Sequence, residues 1–233
     1  MSPGGFYRPS PTCQIAPLGA LYETTFGRRR DGCFVEIGAF DGEMYSNTSC
    51  LADLGWRGLY VEPVPRFAAL CRRRHAANQG VTVIECAVGA APGRLPLQVA
   101  HAFSSLHGDA IARAQASVRA LPPELGQLPF DQIFAGETVE VAVERLETVL
   151  AHHGIAPGFE LLVVDVEGHE TAVFDGFELA AWRPGMIIVE LLDVDPRDVE
   201  TRAASAALRA RILAAGYAHL HVDVANSVFV RAA

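Results

Sequence analysis

The sequence has no C-x-x-C pair, no excess of basic charge, no internal repeat and no apolar run approaching the length of a membrane span. Each absence closes a class of protein. Five cysteines without metal-ligand spacing exclude a zinc framework. Cys33 and Cys86 in apolar strand-like runs, and Cys50 in a short helical one, read as small buried hydrophobes in a reducing compartment. A formal net charge of -8 argues against a nucleic-acid partner, which would need a basic surface. The runs Arg28-Arg29-Arg30 and Arg72-Arg73-Arg74 read as solvated faces, the first at the end of the sheet away from any ligand. With no spanning run and no apolar core in residues 1–13, no membrane partner and no signal peptide are expected, and the location is expected to be cytoplasmic.

What is present is a chain of 233 residues, 50% hydrophobic and 20% charged, enough for one α/β domain with a full core. Residues 1–16, rich in Pro, Gly and Ser, read as a flexible arm before a single domain over 17–233. Apolar strands are expected at about 33–38, 58–62, 81–87, 160–166, 186–191, 217–223 and 226–231, with helices at about 17–27, 47–54, 65–77, 145–153, 168–180 and 197–215. Strands alternating with helices predict a doubly wound, mostly parallel sheet covered on both faces. The last two strands are close enough to form an antiparallel hairpin. In the last helix Val199, Ala203, Ala206, Ala207 and Leu213 form the stripe expected to face the sheet. Residues 101–136 break the alternation and read as a lid insertion, the segment expected to meet a substrate.

The most informative stretch is FVEIGAFDGEMYSNTSCLADLGWRGLYVEP. The strand ending at Gly38 leads into a loop with a second glycine, Gly42, and then a short helix and a second strand ending in Glu62. Glycines at such a strand end let backbone approach a ligand without a Cβ in the way. Glu36 and Asp41 suit a cationic amino group and the polar edge of a sugar. Ser46, Asn47 and Thr48 begin the next helix, whose free N–H groups suit a carboxylate. Glu62 suits the two ribose hydroxyls, and Glu85, Cys86 and Ala87 suit the wall beside an adenine. A dinucleotide site would need G-x-G-x-x-G; the second glycine is missing, and Asp41 would repel a pyrophosphate. S-adenosylmethionine (SAM) carries no phosphate, so the same residues suit it better. An NAD-dependent oxidoreductase and a non-catalytic SAM-binding module remain as alternatives.

Four segments together resemble the FkbM-type SAM-dependent methyltransferases: FVEIGAFDG…SNT…GWRGLYVEPVP, VEVAVERLETVL, LLVVDVEGHETAVFDGF and MIIVE. The resemblance covers about residues 30–195. It implies a class I methyltransferase fold with a Rossmann-like seven-stranded sheet, and methyl transfer to a hydroxyl of a sugar, polyketide or related small metabolite. The oligomeric state stays open, a homodimer included.

Methyl transfer to an alcohol needs alignment and a group to take the hydroxyl proton. Asp165 ends the fourth long apolar run, and Glu167, His169 and Glu170 follow it. Asp165 and His169 are the candidate catalytic pair, His169 because imidazole ordinarily titrates near neutrality. Acids at a helix start can also be purely structural, as Glu167 and Glu170 could be. Asp165 with Glu190 at the next strand end is a candidate magnesium pair. His101, Ser104, Ser105 and His107 are candidates to reach the acceptor, and Phe40 and Tyr45 to pack beside the sulfonium.

Overall fold

The computed structural model describes residues 5–106, 111–112, 115–116, 134, 136–194 and 201–232. Its strands are β1 (Cys33–Ile37), β2 (Arg57–Val61), β3 (Val81–Ile84), β4 (Ala87–Val88), β5 (Gly93–Val99), β6 (Glu137–Glu144), β7 (Leu161–Val164), β8 (Met186–Glu190), β9 (Tyr217–Val222) and β10 (Asn226–Arg231). Its α-helices among the described residues are α1 (Leu18–Phe26), α2 (Ser49–Asp53), α3 (Pro65–Arg74), α4 (Leu146–His152), α5 (Glu170–Asp175), α6 (Leu179–Trp182) and α7 (Arg202–Ala214).

Successive side chains of a strand point to opposite faces, and in β1 both faces are apolar. Val35 and Ile37 join one buried cluster with Leu59, Val61, Leu162 and Val164; Phe34 joins a second with Tyr60, Leu161 and Val163. Two-sided burial is what a parallel sheet between helical layers requires. Helices α4 to α7 cover the first face through Leu146, Phe174, Leu179 and Ile212, and α1 and α2 cover the second through Leu18, Tyr22 and Leu51.

The main sheet has the order β3-β2-β1-β7-β8-β10-β9. All neighbours run parallel up to β8, and β10 is antiparallel to both β8 and β9. This is the mostly parallel seven-stranded sheet with a C-terminal hairpin that the sequence predicts. The chain winds outward from β1 through β2 to β3, then returns to the other side of β1 as β7. The crevice between the carboxyl ends of β1 and β7 is therefore the topological switch point, where open α/β sheets bind ligands.

Three features differ from the sequence reading. The strand expected over 81–87 divides: β3 ends at Ile84, and β4 pairs instead with β6 in a separate three-stranded sheet, β4-β6-β5. That sheet packs Leu97, Val99, Val141 and Val143 against Phe40, Val64 and Phe67, over the carboxyl ends of the main strands. The helix expected over 168–180 breaks into α5 and α6 around Gly176, where a Cβ would lie 2.2 Å from the Gly89 carbonyl oxygen. The stripe of α7 facing the sheet is Leu208 and Ile212, one turn apart; Ala203, Ala206, Ala207 and Leu213 face solvent, and Val199 lies outside the described residues. Leucine and isoleucine bury more apolar area than alanine, so they decide the orientation.

The described part of the N-terminal arm, residues 5–16, has neither helix nor strand but is packed. Tyr7 and Ile15 are buried. The Tyr7 ring meets Tyr22 and Trp56 edge-on, and its hydroxyl donates to the Gly27 carbonyl at 2.8 Å. Of the expected lid, residues 107–110, 113–114, 117–133 and 135 lie outside the described residues, and His107 with them. No described helix is long and apolar enough to cross a membrane.

Candidate active site

One pocket opens at the switch point, with about 550 Å³ of empty space counting its mouth. Its floor is the ends of β1, β2 and β7, with Ile37, Gly38, Glu62 and Asp165; its roof is the small sheet and the turn after it, with Leu97, His101, Ser104 and Leu106. Ala87, Phe40 and Phe67 line one side, and Glu167 and His169 the other.

Gly38 is where the sequence motif meets the topology. Its φ is +87°, and a Cβ there would stand 1.7 Å from the Asp165 carbonyl oxygen. The Asp165 N–H in turn donates to the Ile37 carbonyl at 3.0 Å. The glycine is thus required by the neighbouring strand end. Gly42 also makes a close protein contact: its Cβ would meet the Cys71 sulfur and the His75 ring at 2.8 Å. The His75 Nε2 lies 3.0 Å from the Gly42 carbonyl, so the imidazole in its Nε2–H form ties this loop to α3.

Glu62 is buried at the end of β2 and is held by backbone. Phe40 N–H donates to Oε2 at 2.9 Å and Val64 N–H to Oε1 at 2.8 Å. A carboxylate has about four acceptor positions, so roughly two remain for a ligand in the pocket. Burial pushes this carboxyl up to about 7, partly countered by the two N–H donors. Two vicinal hydroxyls are the complement of that arrangement.

Glu36 faces the other way. Its carboxylate accepts from the Asn47 N–H at 3.2 Å, from the Ser46 hydroxyl at 3.1 Å and from the Thr48 hydroxyl. Burial raises it to about 7, against those donors, and the charge of Asp165 adds to the rise. The Ser46 hydroxyl oxygen also accepts from the N–H groups of Thr48 and Ser49 at 3.2 and 3.1 Å, which caps α2. Asp41 Oδ1 accepts from the N–H groups of Glu43 and Met44 at 2.9 and 2.7 Å, closing the turn.

On the opposite side, Asp165 is half-buried and Glu170 is buried. Glu170 Oε1 accepts from the N–H groups of Val166 and Gly168 at 3.2 and 3.0 Å, which shapes the Val166–His169 loop. Loss of hydration raises both carboxyls, and a charge on Asp165 raises Glu170 further. His169 is the N-cap residue of α5, and its Nε2 stands 3.2 Å from where a Gly89 Cβ would be.

The expected site residues therefore fall into three groups. Gly38, Glu62, Ala87, Asp165 and His169 line the pocket, as do His101, Ser104 and Phe40. Glu36, Asp41, Gly42, Ser46 and Asn47 build the loop behind it, and Tyr45 belongs to that loop. Glu190 ends β8 opposite Asn226 and is not in the pocket wall, and no group of three or more His, Cys, Asp or Glu among the described residues is arranged to hold an ion. The sequence reading missed the contributions of Pro63, Phe67, Leu97 and Leu106. The pairing of β5 with β6 and the Gln98–Ser105 bridge bring the last two there.

The Methyltransferase FkbM domain matches residues 36–218. The chain belongs to the FkbM methyltransferase family. Within it, this member is 36% identical over 149 residues to the 31-O-demethyl-FK506 methyltransferase FkbM of Streptomyces tacrolimicus, a match spanning 57% of this chain and 54% of that protein. The chain thus spans about half the length of that curated relative. Similar solved structures include the O-methyltransferase of Bacillus cereus with SAH (S-adenosylhomocysteine), at 16% identity and a TM-score of 0.48, covering 97% of this chain and 83% of that one. TomG of Streptomyces achromogenes, an O-methyltransferase of tomaymycin synthesis with SAM bound, gives 16% identity and a TM-score of 0.48 over 95% of this chain and 82% of that one.

Proposed function

We propose that this FkbM-family member transfers a methyl group from SAM to a hydroxyl of a small metabolite. The observation that carries the reading is Glu62: a buried carboxylate fixed by two backbone donors, facing the same pocket as Gly38 and Asp165. The residues fit the cofactor. Glu62 would hold the ribose hydroxyls, Ala87 and Phe67 would flank the base, and Gly38 with the Asp165 side would take the methionine end. Glu36, Asp41, Gly42, Ser46 and Asn47 would bind less by touching SAM than by holding the loop that does.

When bound, SAM supplies an electrophilic methyl group on a sulfonium. The chain supplies alignment and a proton acceptor. His169 and Asp165 both line the pocket, and either can take the hydroxyl proton as the new carbon–oxygen bond forms and the carbon–sulfur bond breaks. We assign no step to a metal: Asp165 lines the pocket and Glu190 does not. The activity named for the curated relative, a 31-O-demethyl-FK506 methyltransferase, supports oxygen as the acceptor atom. Five free cysteines support a reducing, cytoplasmic setting.

Calorimetry with SAH and with NADH tests the cofactor. SAH binding without NADH binding is the expected result; the reverse would replace this reading with the oxidoreductase. Transfer of a labelled methyl group to a panel of hydroxylated acceptors, before and after EDTA, then tests the chemistry. Binding of SAH with no transfer to any acceptor would favour the binding module.

A further inference from the structure

The pocket is lined by an unusual share of strained backbone. Among the described residues, five that are not glycine have positive φ: Phe40, Tyr45, His101, Glu167 and Arg183. Phe40, His101 and Glu167 line this one pocket. A bulky L-residue in the left-handed region costs about 1 kcal/mol or more, and such strain collects where a side chain must be aimed.

At His101, with φ of 57°, the neighbouring chain enforces the strain. The Ser104 hydroxyl donates to the His101 carbonyl at 2.6 Å, and its oxygen accepts from the Ala100 N–H at 3.0 Å. Gln98 and Ser105 exchange backbone hydrogen bonds at 2.9 and 3.0 Å. The Ser105 hydroxyl then donates to the Glu167 carbonyl at 2.7 Å, which ties the turn to the loop after β7. The result is to lay the His101 ring on Phe40, with centroids 4.5 Å apart, and within 6.2 Å of Phe67. Phe40 and Phe67 are themselves in contact at 4.6 Å, and the Phe40 N–H is the donor that fixes Glu62. His101 thus stands over the Glu62 half of the pocket.

We infer that His101 is a cofactor-binding residue, its ring covering the base of SAM while the strained turn holds it there. The inference rests on the methyltransferase reading and moves His101 from the acceptor side, where the sequence suggested it, to the cofactor side. An imidazole offers a flat face to a purine, and base–aromatic stacking contributes about tenfold in affinity for one ring.

The test uses the full chain and SAH as the probe, with the dissociation constant read by calorimetry and folding by thermal melting. His101→Gly and His101→Asn both tolerate positive φ but lack the stacking ring. Each is expected to weaken SAH about tenfold while melting within a few degrees of the parent, and His101→Phe to stay within about threefold. Ringless variants that bind SAH like the parent would overturn the inference, as would His101→Phe losing as much as His101→Gly. Loss of folding in both ringless variants would also overturn it, because the ring would then serve the Phe40–Phe67 cluster. If the parent chain itself binds no SAH, the methyltransferase reading fails with it, a result distinct from a defect confined to the variants.

Discussion

Glu36 and Glu62 end the inner parts of two adjacent parallel strands, both buried and both pushed up to about 7 by loss of hydration. They differ in where their acceptor positions go. Glu36 gives its carboxylate to Ser46, Asn47 and Thr48, and so folds the loop after β1 back onto the sheet. Glu62 gives one position of each oxygen to backbone and keeps the rest open to the pocket. Identical residue type, burial and titration therefore describe two tasks, one of construction and one of recognition. A perturbed carboxyl marks an unusual environment; its unspent lone pairs indicate what that environment is for.

Exchange of the two acids for alanine offers the sharpest way to break the contrast. Glu36→Ala leaves two hydroxyls and an N–H without their acceptor, and is expected to cost about 3 kcal/mol in stability by urea unfolding. Glu62→Ala should move stability by only about 1 kcal/mol, because water from the pocket can meet the Phe40 and Val64 N–H groups, yet weaken SAH about 100-fold. Both variants losing stability and affinity in equal measure would erase the distinction.

Acidity separates them next. Each carboxyl titrates above its ordinary value near 4.5, so the native state favours the protonated form. Both therefore contribute stability at low pH that is lost as the pH rises from about 4.5 to about 7. Hydroxyl donors of a ligand would favour the ionised Glu62, so SAH affinity is expected to rise with pH by up to about tenfold per unit below 7 and then level off. That slope should vanish in Glu62→Ala; its survival there would assign the titration to another group. The smallest effect concerns the cap: Ser46→Ala should lower stability by about 1 kcal/mol with SAH affinity within about twofold of the parent. A larger binding defect would bring Ser46 into contact with the cofactor.

Much of the main sheet was legible because its signals are local. An apolar run of a few residues buried on both faces, Gly38 at its end and an acid closing the next run need no knowledge of distant partners. The small sheet was not legible. β5 carries Pro96 within Gly93–Val99 and exposes most of its side chains, so it lacks the mark of a strand, and its partner β6 lies some forty residues away. In α7, abundant alanine suggested a stripe that two larger residues, Leu208 and Ile212, override. The sequence suggests that the two glycines let backbone approach a ligand; the contacts the fold adds are with protein, the Asp165 backbone at Gly38 and the Cys71 and His75 side chains at Gly42. Glu36 shows the same limit, since its three donors are neighbours in sequence whose orientation only the folded loop reveals.

The chain ahead of β1 reaches into the loop behind the pocket. The Thr12 hydroxyl accepts from the Tyr45 N–H at 2.9 Å, the Cys13 thiol points to Asn47 Oδ1 at 3.6 Å, and the Tyr22 hydroxyl donates to the Asn47 carbonyl at 2.8 Å. These supports come from residues that precede position 36, where the family match begins. A version trimmed to residues 36–218 would keep every pocket-lining side chain and lose these supports, together with the start of β1 and all of β10.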